Sequence, residues 1–204
     1  MLQDLFLSLA GRYCADVSLC ARQFAALQAA YCGKGRHYHT LVHLETLVNE
    51  LTPFSHLISD GDTLLFPLFY HDAVYNALKN DNEEQSAALA RRCMTELGTT
   101  EAMIARCEAQ ILATKSHAIA NDTDTNLFTD ADLAILGQPW DAYCRYAEQV
   151  RREYSMYPDL LYRPGRKKVL AHFLSMPRIY KTPKFADRYE ASARANMARE
   201  LAAL

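Results

Sequence analysis

This chain of 204 residues shows no excess of either charge, no paired-cysteine motif and no long apolar run. Lys and Arg number 22 against 24 Asp and Glu, so the broad basic footprint of a nucleic-acid binder is missing. A local basic pocket stays compatible with that balance. The six cysteines (Cys14, Cys20, Cys32, Cys93, Cys107 and Cys144) include no CxxC pair, which argues against a thiolate zinc site. Several fall on apolar helical faces, where cysteine acts as a small hydrophobe. Reduced thiols in a cytosol are the expected state. No apolar stretch approaches the ~20 residues that span a bilayer. The N-terminal segment MLQDLFLSLAGRYC lacks a basic n-region and carries Asp4, unlike a signal peptide. A soluble, cytoplasmic protein with no membrane and no extended nucleic acid among its partners is expected. Alternating strand patterns are scarce, and no repeat, low-complexity tract or linker divides the chain.

What is present is helical periodicity. Val17 to Tyr31 places Phe24, Leu27 and Tyr31 on one face and stops at Gly33. The same pattern predicts helices over residues 38–51, ended by Pro53, and 64–78, with Pro67 in the first turn where a missing N–H is tolerated. Further helices are expected over 81–97, 100–114, 129–136, 139–156, 164–175 and 183–204. For 81–97 the spacing predicts a capping box, with Asp81 as N-cap, Glu84 three residues on and Gly98 as terminator. KSHAIANDTDTN reads as a polar loop. With half of the residues hydrophobic, a sizeable core is possible. The expected architecture is all-α, a single helical bundle over residues 1–204.

Chemistry concentrates in three segments. RHYHTLVHLETLV carries His37, His39 and His43; on a helix His39 and His43, four apart, share one face. LLFPLFYHDAVY places His71 directly before Asp72, among residues expected to be buried. A buried ionised carboxylate is costly unless a partner or a metal neutralises it. A divalent cation does this, and neutral imidazole is its commonest protein ligand. FTDADLAIL supplies Asp130 and Asp132, the latter just before an apolar run. Two imidazoles and two carboxylates suit Mn, Mg, Fe, Co or Zn better than copper. Each fragment alone is more often packing or surface, but the order H…HD…D on successive helices is far more specific.

That order resembles the HD superfamily of metal-dependent phosphohydrolases, and in particular its small bacterial members. The resemblance runs from about Arg36 to the C-terminus and is strongest at YHTLVH, FYHDAVY, DNEEQSA and DADLAILG. A more distant similarity is to the cyclic-nucleotide phosphodiesterases. Their YHNxxH motif resembles residues 38–43, and their ADL resembles Ala131, Asp132 and Leu133. Thr40 stands where that motif has asparagine, no second histidine follows the HD pair, and Lys115 stands where an acidic residue would be. The resemblance implies an HD-domain-like bundle that hydrolyses a phosphate ester or anhydride in a small molecule, expected to be a nucleotide. It implies His43, His71, Asp72 and Asp132 as metal ligands and His39 as proton donor, with Asp72 bridging if a second ion binds. One or two divalent ions (Mn, Mg, Fe, Co, Ni or Zn) are implied.

Around this set, Glu83 is a candidate for orienting water, while Glu84 has the capping role to fill. His117 could contact substrate phosphate or a second metal, or be an ordinary loop histidine. Arg36, Lys115 and Arg166 are the candidate phosphate-binding cations, arginine being suited to bidentate contacts. Phe185, Tyr189, Ala193, Met197 and Leu201 form a packing stripe that could include a homodimer face. A non-catalytic module that keeps the metal and nucleotide site is the alternative function.

Overall fold

The structure, a computed structural model, describes all 204 residues. Ten α-helices and two 3₁₀ helices follow one another with no strand, so the chain is all-α as expected. The helices are α1 (Leu2–Ala10), α2 (Val17–Tyr31), α3 (Leu41–Leu51), α4 (Gly61–Tyr70), α5 (Asn82–Leu97), α6 (Glu101–Ala113), α7 (Thr123–Asp132), α8 (Trp140–Glu153), α9 (Asp159–Ser175) and α10 (Pro183–Ala203). The 3₁₀ helices are Thr52–Leu57 and Leu133–Gly137. Contacts group the chain into two compact units, Met1–Phe128 and Thr129–Leu204, and the division falls inside the unbroken helix α7.

In the first unit α4 is the buried helix, with Thr63, Leu64 and the run from Phe66 to Tyr70 all inaccessible. Helices α5 and α6 pack on it and on each other. Asp60 starts α4 by accepting the Thr63 N–H at 3.0 Å, and Asp16 starts α2 in the same way from Leu19. From α1 and α2, Phe6 and Phe24 close over the far end of α4, Phe6 meeting Phe69 edge-on at 5.1 Å. The Tyr31 hydroxyl donates to the Phe69 carbonyl at 3.0 Å.

The second unit is built on the Leu133–Gly137 turn and α10. Asn196 donates to the carbonyls of Leu136 and Gln138, and Ser192 donates to that of Gly137. A Cβ at Gly137 would stand 2.6 Å from the Tyr189 Cβ, so only glycine admits this approach. Phe185, Tyr189, Ala193 and Met197, four of the five residues of the expected packing stripe, are buried.

Several boundaries differ from the periodicity, each for a local reason. The helix expected over 38–51 begins at Leu41. The His39 carbonyl is taken by Arg36, and the His43 N–H bonds instead to the Thr40 carbonyl at 3.0 Å. The helix expected over 64–78 starts at Gly61 and ends at Tyr70, with Pro67 in its interior, because the residues after it are held by side chains described below. The capping box of α5 does not form: the Asp81 side chain caps no N–H and Glu84 reaches Lys115 instead. Gly98 ends α5 as expected, at φ +81°. Helix α7 begins inside the expected loop, where Asp122 accepts the Thr125 N–H. Helix α9 starts five residues before the expected Pro164, which sits in its interior. Helix α1 lies in a segment to which the periodicity assigned no element.

Gly137→Ala should destabilise the protein by about 1–3 kcal/mol, the range for forcing atoms into a packed site. Chemical denaturation checks this; an unchanged midpoint would mean that α10 can shift away from the turn.

Candidate metal centre

The site is assembled where α4 ends. His71 is the residue that closes α4, its N–H bonding to the Pro67 carbonyl at 2.8 Å. Its ring Nδ1 faces the carbonyls of Pro67 at 3.2 Å and Leu68 at 3.1 Å. Both acceptors are oxygens, so Nδ1 carries the proton and Nε2 is left with its lone pair. That Nε2 stands 3.2 Å from Nε2 of His43, from the first turn of α3, and both imidazoles are buried. Two lone pairs this close repel unless a proton or a cation lies between them. Nitrogens bound at ~2.0–2.1 Å to one ion stand roughly 2.9–3.4 Å apart in octahedral or tetrahedral geometry, so the observed separation fits a shared cation.

Asp72 adds a carboxylate. Its Oδ2 is 3.2 Å from Nε2 of His71, 3.8 Å from Nε2 of His43 and 4.0 Å from Nε2 of His39. Burial pushes this carboxyl up, but the imidazoles of His71, His39 and His43 outweigh it and hold the group well below the ordinary carboxylate range.

Asp132 reaches the site along α7. Phe128, four residues earlier on the same face, lies edge-on to the His71 ring at 5.5 Å. The ligand atoms of His43, His71 and Asp132 all lie within 4.8 Å of one another, a group able to hold a metal ion. Asp130 does something else: its buried carboxylate accepts the N–H groups of Lys181 and Thr182 and the Thr182 hydroxyl, ahead of α10.

His39 does not share a helical face with His43, as the helix over 38–51 would have required, because it precedes α3. It is placed by a turn. Its ring lies against Tyr75 at 4.4 Å and Tyr38 at 5.0 Å, and it stays partly open, with a side chain 21% exposed. Arg36 makes that turn. Its guanidinium donates to the carbonyls of His39 at 3.0 Å, Asp72 at 2.7 Å and Ala73 at 2.9 Å, and it lies over the rings of Tyr31 and Tyr75. Ser86 completes the pinning by bonding both the N–H and the carbonyl of Val74.

The expected phosphate-binding cations are committed to the protein. Arg36 is spent on the three carbonyls just described. Lys115 donates to the Asn80 carbonyl at 2.8 Å, pairs with Glu84, and lies 3.9 Å from Glu83, so that two residues expected near substrate meet each other. Arg166 is buried in the second unit, paired with Glu200 at 2.7 Å and lying over the Tyr146 ring. His117 sits in the left-handed region at φ 49°. The residues that sequence reasoning passed over are Tyr38, Tyr75 and Phe128, which wall the imidazoles. Their only signal is an aromatic beside each histidine segment.

Comparison of the chain with family models, with curated proteins and with solved structures yields no match.

Titration with Mn or Zn, followed calorimetrically, should show binding to the native protein. His43→Ala should weaken it by more than the ~10–100-fold that loss of a supporting hydrogen bond costs. Arg36→Ala should fall within that ~10–100-fold range and lower stability by about 2–3 kcal/mol, since three charge-assisted bonds disappear. Unchanged affinity in His43→Ala would remove that imidazole from the ligand set.

Proposed function

We propose that this chain is a metal-dependent phosphohydrolase acting on a small phosphorylated molecule, a nucleotide being the leading candidate. The observation that carries the reading is the convergence of two imidazole Nε2 atoms, 3.2 Å apart, with Asp72 and Asp132 beside them. This is the residue order for which the HD superfamily is known, on an all-helical chain.

A divalent ion held by His43, His71 and Asp132 supplies a Lewis acid that lowers the pKa of water towards ~7 and neutralises charge on phosphoryl oxygens. The chain supplies the rest. Asp72 has an oxygen within 4.0 Å of Nε2 of all three imidazoles and would add its carboxylate to that ion's ligands. As the water oxygen bonds to phosphorus, the bond to the leaving oxygen breaks, and that oxygen needs a proton. His39 is partly open to solvent and held by Tyr75 and Tyr38, and can deliver it as a general acid.

One observation favours the second reading, a non-catalytic module that binds metal and nucleotide: Arg36, Lys115 and Arg166 are all engaged within the protein. The two readings part on phosphate release. A nucleotide panel with Mn, Mg, Co or Ni should give turnover that Asp72→Ala abolishes. His39→Ala should retain the metal and lose ~10²–10⁴-fold in kcat. Metal binding with no phosphate released from any compound would leave only the binding module. Loss of metal in His39→Ala would make that residue a ligand.

A further inference from the structure

In the second unit, every exposed large hydrophobic side chain lies in α9 or in the turn before it. Met156 is 71% exposed, Leu160 84% and Leu161 61%, with Val169 further along the helix. Single apolar residues scattered on a surface are ordinary, but a cluster marks a contact. The turn that presents them is fixed. Arg151 donates to the carbonyls of Tyr154 and Tyr157 at 3.0 Å and to Asp159 at 2.7 Å, so the apolar side chains are held outward by bonded backbone.

The charge on this segment has one sign. Asp159 is the only acid between residues 154 and 175, and Arg151 pairs with it. Arg166 turns inward to Glu200. Lys167 and Lys168 are exposed and have no ion-pair or hydrogen-bond partner. Arg163 makes only long contacts, 3.8 Å to Asp159 and 3.4 Å to the Leu204 carbonyl. On α9 the buried Arg166 and Leu170 mark the inner side. At ~3.6 residues per turn, Leu161 and Lys168 lie opposite them, and Leu160 and Lys167 run alongside. One outward face thus carries leucines at its start and ammonium groups two turns on.

This pairing of groups selects the occupant. A second copy seated about a two-fold axis would set the face against itself, lysines against lysines. A nucleic acid would engage the cations through its phosphates and offer Met156 and the leucines nothing to bury against. An anionic lipid surface satisfies both: acyl chains take the aliphatic groups, and headgroup phosphates take the cations. No helix is long and apolar enough to cross a membrane. The expected absence of a membrane partner rested on the lack of such a span, which a surface contact does not need.

We propose that the outward face of α9 is a docking surface for anionic lipid bilayers, with Met156, Leu160 and Leu161 entering the acyl boundary and Arg163, Lys167 and Lys168 meeting the headgroups. It is independent of the metal centre and of the phosphohydrolase reading.

Co-sedimentation of the full chain with phosphatidylcholine vesicles, with and without phosphatidylserine, tests this. The protein should pellet with the phosphatidylserine vesicles, and added salt should release it. Lys167→Gln with Lys168→Gln should weaken partitioning roughly 30-fold, about 5-fold per cation. Leu160→Ser with Leu161→Ser should weaken it by at least ~10-fold. Val17→Ser, which removes an equally exposed apolar group from the first unit, should leave it unchanged. All these side chains are exposed, and an unaltered circular dichroism spectrum checks that each variant is folded. No uptake by phosphatidylserine vesicles, equal uptake by both kinds, or uptake that the leucine variant retains would overturn the proposal. A dimer that the leucine variant dissolves, with no vesicle uptake, would overturn it too and give the face to a second copy.

Discussion

Everything in the candidate site depends on the fate of one nitrogen. The Pro67 and Leu68 carbonyls take the His71 Nδ1 proton, so the Nε2 lone pair points at His43. Both carbonyls lie in the last turn of α4, and that of Pro67 also accepts the His71 N–H. The same helix end puts Asp72 outside the regular turns, where its oxygen meets the imidazoles rather than the flank of a helix. Termination of α4 at Tyr70 is thus what makes the pair chemical, and Arg36 and Ser86 secure it by binding the chain just beyond.

The electrostatics follow from this packing. Burial alone would make Asp72 hard to ionise, and three imidazoles reverse that. The site therefore holds the Asp72 carboxylate beside three imidazoles, and Asp132 is grouped with His43 and His71. Uncompensated negative charge in a largely buried place is unfavourable, and a divalent ion relieves it better than a proton can. By contrast, Asp130, two residues before Asp132, is satisfied by backbone N–H groups and a hydroxyl. Two carboxylates of one short segment are thus separated by their partners into a structural group and a candidate ligand.

Much of this was legible in the sequence. All-α architecture followed from the 3.6-residue periodicity, and the odd chemistry of an HD pair in an apolar stretch pointed to His71 and Asp72. Asp132 was singled out by the same logic of polar groups in apolar surroundings, and His43 by its spacing of four from His39. The fine placement was not legible. His39 and His43 looked like a helical pair because their spacing is four, but the Arg36 guanidinium removes the His39 carbonyl from the helix. That competition is tertiary, involving carbonyls 36 and 37 residues away. Arg36, Lys115 and Arg166 read as free cations because a sequence lists charges without their partners.

The most direct test of the account is an anomalous-diffraction measurement on crystals of the protein grown or soaked with Mn or Zn. The account predicts one dominant anomalous peak within ~2.0–2.3 Å of Nε2 of His43, Nε2 of His71 and an oxygen of Asp132. A protein that takes up no ion under these conditions, or a peak located away from those three side chains, would contradict it.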